Sequence, residues 1–198
     1  ILFAMEKDGV KTVHAESREA WRRWLEVNHQ QEKSVWLIIY RKQSQTPSVY
    51  YDEAVDEALC FGWIDSKPNK RDEESFYQFF ARRNPKSKWS KVNKDKIERL
   101  LAEGRMAPAG LAMVELAQQN GTWNALDEVE NLTIPPDLQQ ALDALPPAST
   151  HFDAFPRSVK RGILEWILNA KKEETRQKRI LETATLAAQN IRANQFRR

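Results

Sequence analysis

The chain has 198 residues, of which 41% are hydrophobic and 30% charged, with a mean hydropathy of -0.69; this is a globular composition that excludes a disordered chain. One cysteine excludes a disulfide-built scaffold, and no run approaches the roughly 20 apolar residues that cross a bilayer. The net charge of +3 is unevenly spread: no Lys or Arg occurs from Met106 to Pro156, while basic blocks flank that acidic segment on both sides.

Asp8-Gly9, between short β-prone runs from Met5 to His14, predicts a tight N-terminal hairpin. Ser17 offers a hydroxyl to a helix start, and Ala20, Trp21, Trp24 and Leu25 share one face down to Asn28. Val35 to Tyr40 is rich in β-branched and aromatic residues and apolar on both faces, so it reads as a central strand covered on both sides. Asp52 is placed to cap a short helix through Ala54, Val55, Ala58 and Leu59, ending near Gly62. Two strands should follow, Trp63 to Lys67 and Phe76 to Arg83, with Pro68 disturbing the first.

From Ser90 the period becomes helical. Val92, Ile97, Leu100 and Leu101 precede Gly104, and Leu111, Val114, Leu116 and Ala117 precede Gly121. Pro136 suits the first turn of a helix through Leu138, Ala141, Leu142 and Leu145, which Pro146-Pro147 stops. Val159, Ile163, Trp166, Ile167 and Ala170 make one more face, and Ile180, Leu181, Ala184, Ala188 and Ile191 the last. The expected fold is α+β: a small, mostly antiparallel sheet with helices over residues 1–85 and an all-helical part over 86–198, together forming a single domain.

Chemistry-bearing motifs are sparse. His14, His29 and His151 are far apart and Cys60 stands alone in an apolar run, so no metal-ligand spacing arises and no cofactor is expected. No glycine-rich phosphate loop or nucleophile turn is present. His29, at a predicted helix end, suits a cap better than a general base. Cys60 reads as a buried structural thiol in a reducing compartment, and the location expected is cytoplasmic.

The distinctive stretch runs from Phe61 to Asn93, where aromatics and cations interleave. Trp63 and Trp89 offer flat faces, Arg82 and Arg83 offer paired donors, and Asp65, Lys88 and Asn93 lie among them, a set suited to an anionic small molecule or protein partner. The plain alternative puts the tryptophans in the core, Asp65 on an arginine and the lysines in solvent. Nucleic acid is a further reading of segment 82–94, through Arg82, Arg83, Lys88, Trp89, Lys91 and Lys94, although the acidic block disfavours it. Arg176 and Arg179, one helical turn apart, form a ridge with Lys172 that can take an anion or dock on the acidic middle segment.

Trp21-Arg22-Arg23-Trp24-Leu25-Glu26, Val35-Trp36-Leu37, the run from Asp52 to Asp65, Lys88-Trp89-Ser90 and Gly104-Arg105-Met106 resemble recurrent blocks of the bacterial YdeI/OmpD-associated family. The run from Ala170 to Ile180 resembles that family's C-terminal signature helix, within a signature expected over about 136–185. Ala81 departs from the proline expected before Arg82-Arg83. The resemblance implies a non-enzymatic role in bacteriocin or antimicrobial-peptide protection or in stress, and supplies no catalytic residue. A small-molecule pocket near Trp63, Asp65, Arg82 and Trp89 is the competing expectation.

Overall fold

The computed structural model describes residues 6–195, which fall into two compact units, the first ending at Asn124 and the second beginning at Ala125. In the first, strands β1 (Glu6–Lys7) and β2 (Val10–His14) form the expected hairpin. Asp8 and Gly9 carry it at φ of 52° and 72°, the left-handed pair that a type I′ turn needs. Met5, expected to open this hairpin, lies outside the described residues. The Ser17 hydroxyl accepts from the Ala20 N–H at 3.1 Å and starts α1 (Arg18–Asn28).

Strand β3 (Ser34–Tyr40) is the central member of a five-stranded sheet ordered β1-β2-β3-β5-β4, with β4 at Trp63–Lys70 and β5 at Ser75–Arg82. Its pairing with β2 is parallel and the other three pairings are antiparallel, so the sheet is mostly antiparallel, as expected, and mixed through this one parallel pair, which the sequence did not indicate. The reason is topological: β2, α1 and β3 form a crossover, and a chain that returns beside its previous strand through a helix must run parallel to it. Side-chain alternation within a strand carries no such direction. Pro68 marks a register shift in β4 rather than its end, because the bulge spares the proline a ladder donor.

Helix α2 (Tyr51–Cys60) begins before Asp52, which sits in the first turn and does not cap it. Tyr50 is the N-cap residue, and its backbone N–H donates to Glu53 Oε2 at 3.2 Å. Helices α3 (Lys91–Ala102) and α4 (Pro108–Gln119) complete this unit. Their Ile97, Leu100, Val114 and Ala117 share one core with Leu37, Leu59, Trp63 and Phe80. The sheet-bearing unit therefore continues past residue 85 to Asn124, because the sheet's helix-covered face needs these two helices. Val92, Leu101, Leu111 and Leu116, expected on the buried faces, are exposed.

The second unit is all helical: α5 (Asp127–Glu130), α6 (Pro136–Asp143), α7 (Ala148–Ala154), α8 (Arg157–Leu168) and α9 (Glu173–Ala188). It has its own core, centred on Leu138, Leu142, Phe152, Ile163, Ile167, Ile180 and Ala184. Helix α7 escapes the periodicity argument because its seven residues are too few to show a repeating face, and it is anchored by Ala148 and Phe152. Leu181 faces outward and Ile191 lies beyond the end of α9. Among the described residues no helix is long and apolar enough to cross a membrane.

Candidate functional site

Where β3 ends and α2 begins, the first unit holds an open cleft of about 410 Å³, within the roughly 300–1,000 Å³ of small-ligand pockets. Ile39 and Phe76, register partners across β3 and β5, line its apolar part. Three tyrosines also line it: Tyr40 from the last position of β3, and Tyr50 and Tyr51 from the start of α2. Charges of both signs edge the cleft, Arg41 and Lys42 from the β3 exit and Asp52 and Glu53 from the first turn of α2.

The tyrosine rings already engage cations. The Lys42 ammonium lies 5.7 Å from the Tyr50 ring centroid and the Arg71 guanidinium 5.8 Å from that of Tyr40. Tyr51 donates its hydroxyl to Asp65 Oδ2 at 2.7 Å. Burial, then that hydrogen bond, raise the Tyr51 pKa well above the ordinary tyrosine value, so its hydroxyl keeps its proton at neutral pH. Asp52 is 86% exposed at its side chain, with Lys96 Nζ no nearer than 3.8 Å.

Asp65, through Tyr51, is the one sequence-predicted residue tied to a cleft wall. Trp63 is buried and donates from Nε1 to the His29 carbonyl at 3.2 Å. Arg82 donates from Nε to the carbonyls of His29 at 3.1 Å and Glu32 at 2.9 Å, and from Nη2 to that of Gln30. These two side chains thus clamp the chain leaving α1. Arg83 is buried, stacks 3.7 Å from the Trp89 ring centroid and donates from Nη2 to the Lys88 carbonyl at 2.7 Å. Burial pulls its pKa down to about 10. Trp89 is buried against Trp123, and the Asn93 backbone N–H donates to Ser90 Oγ in the α3 cap. The aromatics and arginines of this stretch therefore fall into two separate clusters, Trp63 and the exposed Arg82 on the His29 carbonyl and the buried Arg83 with Trp89.

In the second unit Arg176 grips Asp137 with both donors, Nε to Oδ2 at 2.7 Å and Nη2 to Oδ1 at 2.9 Å. Arg179 donates to the Trp166 carbonyl and lies 5.0 Å from that ring's centroid. Arg161 likewise holds Glu130 at 2.7 Å. The basic C-terminal block meets the acidic middle segment within this unit.

Sequence reasoning passed over a buried carboxylate pair. Glu57 has no exposed side-chain surface and accepts from Arg18 at 2.6 Å, Arg22 at 2.7 Å and Arg105. Its neighbour Asp56 accepts from Lys96 at 2.8 Å and Arg99 at 2.7 Å. Burial alone would raise both carboxyl pKa values, and the hydrogen bonds from these cations outweigh it and hold both below the ordinary carboxylate range. All five cations come from before or after α2 by dozens of residues, so no local spacing reveals the pair.

Groups that usually titrate or attack at neutral pH are engaged in structure. A ring nitrogen of His14, His29 and His151 contacts the backbone carbonyl of Pro47, Leu25 and Ala187 respectively. Burial pushes the Cys60 thiol up to about 11. Among the described residues no group of three or more His, Cys, Asp or Glu is placed to hold a metal ion.

Fold and cleft together define an α+β protein with a ligand-sized site on its sheet-bearing unit and a separate helical core. Residues 13–113 match the family described as a domain of unknown function, DUF8412, and residues 131–190 match the family described as Bacteriocin-protection, YdeI or OmpD-Associated. The chain belongs to the DUF8412 family across its sheet-bearing unit and, through its helical unit, to the YdeI/OmpD-associated family. Comparison with curated proteins and with solved structures gave no match.

Proposed function

We propose that the protein is a non-enzymatic binding protein of the bacterial cytoplasm that protects the cell against cationic antimicrobial peptides or bacteriocins, taking a cationic peptide segment into the tyrosine cleft. The observation that carries this reading is the cleft itself: three tyrosine faces beside the exposed carboxylate of Asp52 and that of Glu53. Lysine and arginine side chains bind such surroundings by cation–π attraction and charge-assisted hydrogen bonds. The description of the helical unit's family points the same way. A binding role rather than catalysis is supported by the engaged histidines, the elevated Cys60 thiol and the proton held on Tyr51.

The physiological test is survival of cells lacking the gene under a cationic amphipathic peptide. The expected result is loss of survival that the native gene restores and an Asp52→Asn, Tyr50→Ala gene does not. Equal survival with and without the gene rules the reading out.

A further inference from the structure

We infer that the cleft recognises the carboxy-terminal end of a peptide, reading its free α-carboxylate together with a nearby cationic side chain. The inference rests on the peptide-binding reading of this site and adds a requirement which that reading lacks. A cleft that needed only cations would be lined by carboxylates alone, whereas this one divides its charges by element.

The β3 exit brings Arg41 and Lys42, both exposed, and the first turn of α2 brings Asp52 and Glu53. Arg41 makes no ion pair among the described residues, so its guanidinium fork is available for the bidentate hold that a carboxylate accepts. The first turn of α2 is a poor place for the anion despite its free amides, because Asp52 and Glu53 repel a carboxylate there. The incoming carboxylate therefore belongs at Arg41 and Lys42, and the cationic side chain at Asp52, Glu53 and the Tyr51 face. Ile39 and Phe76 take the apolar part of the terminal residues. At about 410 Å³ the cleft suits the end of a peptide rather than a long stretch of one.

The test uses one lysine- and arginine-rich peptide made twice, with a free C-terminal acid and with a C-terminal amide, titrated calorimetrically into the full chain. The acid form should bind about tenfold more tightly, as expected for one partly exposed charge-assisted contact. In the Arg41→Gln, Lys42→Gln variant that preference should vanish while the amide binds no more weakly than before. Equal binding of acid and amide to the native chain overturns the inference and leaves cationic-peptide binding standing. Binding of neither form overturns both. Loss of amide binding in the Arg41→Gln, Lys42→Gln variant also overturns it, since those cations would then be supporting the cleft rather than reading the terminus.

Discussion

Glu57 illustrates how much of this fold rests on a few side chains. A carboxylate with no exposed surface is costly unless its charge is met, and here three guanidinium groups from α1 and from the segment before α4 meet it. Replacing Glu57→Gln leaves Arg18, Arg22 and Arg105 without their common anion and should cost about 3 kcal/mol of stability, measured by urea denaturation at pH 7. The pH dependence follows from the depressed carboxyl pKa values of Asp56 and Glu57. Unfolded carboxylates titrate near roughly pH 4, so the stabilisation is complete above that value and is lost as pH falls through the lower folded values. The native chain should therefore lose more stability between pH 5 and pH 3 than Glu57→Gln does; parallel acid limbs would contradict this role. In the sequence Asp56-Glu57 looks like a solvated helix face, since partners 35 or more positions away leave no local trace. Trp63, Arg82, Arg83 and Trp89 were visible as unusual residues, yet their use as internal clamps depends on carbonyls that only the folded chain brings within reach.

At the scale of elements, α2 is enclosed from Ala54 to Cys60 by its neighbours, and α4 approaches its C-terminal end closely at Gly110. A Cβ added to Gly110 would stand 2.2 Å from the Cys60 carbonyl oxygen, a backbone atom with little room to yield. Gly110→Ala should accordingly force the two helices apart and cost about 3 kcal/mol or more, seen as a lowered thermal midpoint with slower aromatic-band recovery on refolding. An unchanged midpoint would mean that the helices separate freely there. Gly62 turns the chain out of α2 at φ 73° and is a helix stop legible in the sequence, whereas the close approach at Gly110 has no signature, because a glycine inside a helix reads only as a weak helix former. The central strand, the Ser17 cap and the Asp8-Gly9 hairpin were equally legible, since each rests on residues close to one another in the sequence. The parallel pairing of β2 with β3 was not, because strand direction is a property of the crossover and not of the strand.

Over the whole molecule, the charge blocks that stand out in the sequence are partly consumed within the helical unit, where Arg176 meets Asp137 and Arg161 meets Glu130. The tyrosine cleft drew no attention in the sequence because its walls come from Tyr40, Tyr50, Tyr51 and Phe76, separate stretches that converge only where β3 hands over to α2. Its role is the central claim, and the direct measurement is a backbone amide NMR titration of the full chain with a lysine- and arginine-rich peptide. Saturable shifts confined to residues around Tyr40, Arg41, Tyr50 to Glu53 and Phe76, weakened about tenfold by Asp52→Asn with Tyr50→Ala, are the predicted result. Shifts concentrated elsewhere, or none at millimolar peptide, would contradict it.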